Sequence, residues 1–297
     1  MNTPSTRSQM SATYKTLVQI GAIQKSRVKK IGVTRDRGVT VYKDQYSGVI
    51  FLEDFFVGIE EYQTNNYDLP PGSEEVSGEQ REDAERRLET HKHLIYGKEI
   101  VDFGCGSGEF LQLAKPLSRS ASGVEISRDS LSTLKRLGIP GVQDINEVSH
   151  GIDSLFLFHV LEHLPEPLRT LKLLCRKLIS KDGRIVIEVP HAGDFLLSHL
   201  NVSEFAAHTF WSQHLVLHTR DSLNRLLIHA GFGDISIFGV QRYGLANHLG
   251  WLSDGKGGGH TGPFAFMERG HLRANYEDAL RSIDATDTLV AVARPGI

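Results

Sequence analysis

The sequence predicts an α/β protein built on a doubly wound, mostly parallel sheet of seven strands, preceded by a small strand-rich N-terminal module. Three observations predict it. From residue 99 onward, short apolar runs of strand length alternate with longer stretches whose apolar residues recur at helical spacing. The first of those runs leads into three glycines at alternate positions, "VDFGCGSGEF" over residues 101–110, where backbone can come close to a ligand. Two long insertions, 190–219 and 241–285, both follow strand C-termini, the edge at which open α/β sheets bind ligands.

Taken in chain order, residues 1–10 are polar and read as disordered. A helical period then runs through 13–24, followed by three β-like runs at 28–33, 39–43 and 48–52 with polar or glycine turns between them. These define an N-terminal module over 1–64. Residues 65–97 form a linker, "NNYDLPPGSEEVSG", and a helix over 79–95 with Ala84, Leu88, His91 and Ile95 on one face. His91-Lys92-His93 reads as a solvated stretch of that helix. The third unit, 98–297, carries strands at 100–103, 121–125, 142–144, 154–158, 184–189, 234–240 and 288–293. Helices are expected at 109–115, 128–137, 166–179 and 220–230, the last with Thr219 as its N-cap and "HAGF" as its end.

Composition narrows the function. The chain of 297 residues is 40% hydrophobic and 23% charged, an ordinary globular balance. No apolar run approaches the roughly 20 residues that span a bilayer, and the first residues lack the apolar stretch of a secretory leader. Cys105 and Cys175 alone cannot build a disulfide framework or a four-cysteine zinc site, so a reducing, cytoplasmic compartment is expected. The net charge of −3 argues against general affinity for nucleic acid, although residues 1–50 carry nine Lys and Arg against two Asp. Hard oxygen ligands do not fall at a recognisable metal spacing, so no metal is expected. In "HVLEHLPEP", Glu162 and His163 read as a strand-to-helix connection ahead of Pro165 and Pro167. The partner is a small molecule or a glycan; a homo-oligomer stays open.

The glycine turn is not a P-loop, because Glu109-Phe110 stands where Lys-Ser/Thr is required. Asp102 precedes the turn, and Glu125 ends the next strand, 21 residues after Gly104, where it can accept hydrogen bonds from both hydroxyls of a ribose. That is adenosine recognition without commitment to a dinucleotide. Together, "VDFGCGSGEFL", "GVEIS" and "FHVLEHLPEP" resemble the class I S-adenosylmethionine-dependent methyltransferases over about residues 98–240. The resemblance implies the Rossmann-like methyltransferase fold and S-adenosylmethionine as cofactor. It implies that Asp102 organises the loop around the methionine amino group and that Gly104 and Gly106 admit the cofactor. Glu125 would hold the ribose, Ile126 the adenine face, Asp144 and Ile145 the adenine edge, and Phe158 and His159 the methionine end.

The acceptor would sit in the two insertions. The first, "EFAAHTFWSQHLVLHT", offers His208, His214 and His218, with Phe210 and Trp211 as apolar walls. It resembles the C-methyltransferases of nucleotide-linked deoxysugars, in which a Glu-His pair helps catalysis; Gln213-His214 stands at that place here. Those relatives carry a cysteine-ligated zinc module at the N-terminus, whereas the strands here contain no cysteine. The second insertion is similar to a stretch of methyltransferases encoded among polysaccharide genes. Its Arg242, Tyr243, Asn247 and His248 form a dense polar set for a polyhydroxylated or anionic acceptor, with His191 beside them. The resulting expectation is methyl transfer to a hydroxyl of a sugar, nucleotide sugar or glycan. His214 is the base, with Gln213 and Arg242 in support. C-methylation of a keto-sugar is the first alternative, and methylation of RNA or protein docked on the basic N-terminal segment is the second.

Overall fold

The computed structural model describes residues 12–52, 55–63, 78–179 and 181–296. Residues 1–10 and all but the last position of the 65–78 linker therefore lie outside the described residues. Eleven strands are found among those described: β1 Val28–Val33, β2 Thr40–Asp44, β3 Ile50–Leu52, β4 Glu99–Phe103, β5 Ser120–Val124, β6 Gly141–Val142, β7 Ser154–Phe158, β8 Arg184–Pro190, β9 Val216–Leu217, β10 Phe232–Val240 and β11 Thr288–Pro295. Seven of them form one sheet in the order β10-β11-β8-β7-β4-β5-β6. β4, β5, β6, β7 and β8 pair in parallel, while β11 is antiparallel to both β8 and β10. The chain turns from β4 outward in both directions, so the crevice between the ends of β4 and β7 is the switch point where such sheets take ligands.

Strand composition follows from burial on both faces. β7, "SLFLF", is buried at every position, as a central parallel strand must be. Alternation along β7 and β8 assigns the two faces. Leu155, Leu157, Ile185, Ile187 and Val189 meet the helices Pro167–Lys177 and Arg220–Ala230 through Leu168, Leu171, Leu174, Leu223, Leu226 and Leu227. Phe156, Phe158 and Val186 meet the helices Gly78–His91 and Glu109–Ala114 through Ala84, Phe110 and Leu111. Pro167 opens its helix at the first turn, Thr219 caps the next by accepting from the Ser222 amide, and Gly231 ends it at φ +95°.

The N-terminal strands β1, β2 and β3 form an antiparallel sheet, and β3 also pairs with β9 from the first insertion. Tyr14, Leu17, Val41, Val49, Ile50, Phe51 and Leu52 belong to the same buried cluster as the face of Leu155 and Leu157. One expectation for the helix Gly78–His91 is overturned. His91 is not solvated; it is 2% exposed and lies against Phe156 and Phe158, because its position in the helical period puts it on the sheet-facing side with Ala84.

Candidate active site

The first cavity, about 590 Å3, opens between the turn after β4, the end of β5 and the segment after β7. Its floor depends on glycine for two different reasons. At Gly104 (φ +74°) an added Cβ would lie 2.5 Å from Val160 Cγ2, so the protein's own packing excludes a side chain there. At Gly106 (φ +54°) nothing lies within 4 Å of such a Cβ, which leaves an open cradle on the cavity. Glu125 ties the wall together. Its Oε2 accepts from the Gly106 amide at 2.9 Å and its Oε1 from the Ser127 amide at 2.8 Å, leaving further lone pairs on both oxygens.

Gly104, Gly106, Glu125, Ile126 and His159 all line this cavity. Four of the residues expected there do not. Asp102 lies behind the turn, 3% exposed and with Oδ1 unpartnered. Burial is the main cause that pushes its pKa up to about 7; Arg87 opposes the shift, and the carboxylates of Glu125 and Glu109 add to it. Phe158 lies behind the wall, stacked on Phe156 and edge-on to Phe110. Asp144 is an exposed helix cap that accepts from the Asn146 amide at 2.8 Å, and Ile145 is core; the neighbouring Gln143 lines the cavity instead. The groups present fit S-adenosylmethionine. Glu125 has acceptors for a ribose diol, Gly106 leaves room beside the backbone, and Glu109 and Glu125 give a cationic sulfonium an acidic wall.

A second cavity of about 840 Å3 adjoins the first, and His159 and His163 line both. His159 has φ +56°, a left-handed conformation uncommon outside glycine, and this places its ring between two buried carboxylates. Nδ1 is 3.2 Å from Glu162 Oε1 and Nε2 is 3.1 Å from Glu188 Oε1. Burial and Arg242 act to lower the His159 pKa, but these carboxylate contacts outweigh them and raise it. Glu188 also accepts from Arg86 at 3.0 Å and Arg87 at 2.6 Å, which hold it well below the usual carboxylate range despite its burial.

His163 and His214 are different. His163 Nδ1 donates to the Gln213 carbonyl at 2.9 Å, which leaves Nε2 with a lone pair. The backbone of Thr209 hydrogen-bonds the His214 ring, whose Nδ1 is buried and unpartnered. Burial, reinforced by His163, depresses the His214 pKa to about 3, and burial also lowers that of His163. Both rings are therefore neutral. Glu162 is 1% exposed and its Oε2 has no partner; burial acts to raise its pKa, yet His159, His163 and His214 hold it at about 2. Ligand atoms of Glu162, His163 and His214 all lie within 4.8 Å of one another.

Of the other residues expected at the acceptor, Trp211, His191, Tyr243, Asn247 and Arg242 line the second cavity. Their roles are partly structural. Arg242 is bound to Asp83 of the helix Gly78–His91 through both Nε and Nη2. Asn247 Oδ1 accepts from the Gly258 amide and so fastens the glycine-rich loop. Gln213 contributes its backbone carbonyl, while its side chain is buried away from the cavity. His248 does not reach the cavity: it is held between Gln241 and Tyr276 inside the second insertion. Sequence reasoning missed Arg35, which stands over the Trp211 ring at 5.5 Å, and the buried Glu188. A lone carboxylate inside the apolar run "RIVIEVP" was the available signal for Glu188.

A family model described as a methyltransferase domain matches residues 77–237, more than half of the chain. The chain belongs to this family. It carries a methyltransferase domain, and the first cavity, with its turn, Glu125 and acidic wall, suits S-adenosylmethionine. A solved S-adenosylmethionine-dependent methyltransferase from Archaeoglobus fulgidus shares the fold, with TM-score 0.50 and 21% identity over 72% of this chain and 93% of that one. So does a putative methyltransferase in complex with a Haloferax volcanii activator, with TM-score 0.50 and 16% identity over 73% and 94%. Among curated proteins, ubiquinone biosynthesis O-methyltransferases of Haemophilus ducreyi and Idiomarina loihiensis are similar to this methyltransferase. They are 23% and 24% identical over 32% and 33% of it. The match spans about half the length of those relatives, 47% and 44%. No helix among the described residues is long and apolar enough to cross a membrane.

Proposed function

We propose that this methyltransferase methylates a hydroxyl of a small polar acceptor, a sugar, nucleotide sugar or glycan, held in the second cavity. One observation carries the reading: the first cavity and a larger, more polar one share His159 and His163, and the neutral rings of His163 and His214 both line the larger one. Trp211 and Trp251 offer flat apolar faces, and Arg35, Lys256 and Tyr243 surround them with polar groups. Such a wall suits a polyhydroxylated ring, with or without an anionic group, better than a long apolar acceptor. The names of the curated relatives, O-methyltransferases, support oxygen as the atom methylated.

When bound, S-adenosylmethionine supplies a methyl carbon on a sulfonium whose departure as a neutral thioether needs no protonation. The chain's task is to place the hydroxyl oxygen in line and draw off its proton. His159, both of whose ring nitrogens are engaged by Glu162 and Glu188, holds Glu162 in place at the junction of the two cavities. The neutral histidines His163 and His214 supply the lone pairs that favour loss of the hydroxyl proton. Replacing His214 with Ala is expected to lower turnover on the acceptor by about 100-fold or more and to leave S-adenosylhomocysteine affinity unchanged. Radiolabelled methyl transfer to a panel of nucleotide sugars, with calorimetry on the same protein, tests it; unchanged turnover removes His214 from the mechanism. Solvent deuterium entering a keto-sugar without methyl transfer would instead favour C-methylation.

A further inference from the structure

We propose that Glu162, His163 and His214 form a site for one divalent transition-metal ion, open toward the acceptor cavity. The inference rests on the reading of that cavity as the place of an oxygen acceptor, and it specifies how the hydroxyl is activated there.

The argument starts from unmet valences. Glu162 Oε2 and His214 Nδ1 are buried and have no hydrogen-bond partner, a costly arrangement for one group and more so for two side by side. They do not satisfy each other, since an ionised carboxylate and a ring nitrogen with a lone pair are both acceptors. His163 Nε2 carries a lone pair as well, because Nδ1 already donates to the Gln213 carbonyl, and the nearest Glu162 oxygen lies 3.9 Å from it. One ligand atom from each of the three residues lies within 4.8 Å of the others, and a cation is what three clustered acceptors can share.

The surroundings hold the ligands as a metal site requires. The Gln213 carbonyl fixes the tautomer and plane of His163, and the backbone of Thr209 does so for His214. His159 holds the other oxygen of Glu162. Trp211 packs edge-on to both histidines, which lie 5.1 Å apart between ring centroids. Ligands sharing one ion at about 2.0–2.2 Å stand roughly 3–3.5 Å apart, so small side-chain rotations close the triad. Two imidazoles and one carboxylate select Zn2+, Mn2+ or a similar ion over Mg2+, which prefers oxygen throughout. All three residues line the acceptor cavity, so the remaining coordination positions face the substrate.

An acceptor hydroxyl bound there loses its proton to water more readily, because the ion stabilises the alkoxide. The oxygen then forms the bond to the methyl carbon as the carbon–sulfur bond breaks, and the sulfur keeps that electron pair. No redox change is involved. His214 serves in this scheme as a ligand rather than as the proton acceptor.

The test uses full-length protein stripped with a chelator, then titrated with Mn2+ by electron paramagnetic resonance and with Zn2+ by calorimetry. One ion per chain is expected. Glu162→Gln, His163→Ala and His214→Ala should each weaken it by more than the ~10–100-fold that an outer partner is worth, with S-adenosylhomocysteine affinity retained in Glu162→Gln and His214→Ala, which lie outside the first cavity. Should a variant fail to fold, imidazole nitrogen couplings to Mn2+ bound to the wild-type protein give the same information. No ion bound by the wild type, no imidazole coupling, or equal affinity in all three folded variants overturns the site. Methylation of a hydroxyl undiminished after chelation overturns it too and leaves the acceptor reading standing. An ion bound by the triad together with a carbon-methylated product does the reverse.

Discussion

His91 sits 2% exposed against Phe156 and Phe158, with Nε2 unpartnered, and burial there depresses its pKa to about 4. The unfolded chain binds the proton near pH 6.5, well before the folded one does. Between those values the unfolded state carries more protons, so the contribution of His91 to stability is complete above about pH 6.5 and is lost as the pH falls toward 4. Replacing His91 with Phe keeps the aromatic contact and removes the titration. Urea unfolding at several pH values should show the gap between wild type and His91→Phe changing by about 1.4 kcal/mol per pH unit across that window, in favour of the variant on acidification. Parallel curves would mean that the ring is hydrated and already charged. The comparison is made between two proteins because other buried groups titrate in the same range, among them Asp102 and Asp194, whose pKa values burial raises to about 7.

At the scale of elements, the helix Gly78–His91 is joined to β8 by charge rather than by apolar packing alone. Arg86 and Arg87 converge on Glu188, which is fully buried on the face of Val186, and Asp83 binds both Arg86 and Arg242. Glu188→Ala leaves two guanidinium groups and His159 without their shared counter-ion. It is expected to cost about 3–5 kcal/mol by chemical unfolding, with Glu188→Gln losing less because it still accepts hydrogen bonds. A loss under about 1 kcal/mol would show that solvent takes over the role of Glu188. This network also marks what was legible in the sequence. The helices Pro167–Lys177 and Arg220–Ala230, their caps and the central strands were, because periodicity and capping are local. So were the glycine turn and Glu125, whose chemistry lies within a short span. Arg86 and Glu188 are about 100 residues apart, so the helix read simply as charged. β9, two residues long, carries no periodicity at all, and Asp144 satisfies a cap that is indistinguishable in sequence from a ligand contact. The lone pairs at Glu162, His163 and His214 depend on which partners each group finds across 50 residues of chain.

For the whole molecule, the question is whether the N-terminal strands fold apart from the sheet that binds the cofactor. The pairing of β3 with β9 runs between them, as does the contact of the Asp36 carboxylate with the Ser212 amide at 3.1 Å. Tyr14, Leu17, Ile20, Val49, Phe51 and Leu52 are each buried to 4% exposure or less in the cluster that also holds Leu155, Leu171 and Leu226. Fully buried side chains of this size are worth about 1.5–3 kcal/mol each, so their partners across the interface would lose cover comparable to the roughly 5–15 kcal/mol that holds a domain folded. Phe56 and Tyr62 also line the first cavity, and Arg35 lines the second, so both cavities draw on residues before Gly78. A chain beginning at Gly78 is accordingly expected to lose its cooperative thermal transition and S-adenosylhomocysteine binding together, and to bind a dye for exposed apolar surface. Intact protein should unfold in one transition by near-UV and far-UV circular dichroism alike. A truncated chain that melted at the unchanged temperature and still bound the cofactor product would establish the N-terminal strands as a separate domain, and the acceptor cavity would then be a site assembled between two independently folded parts.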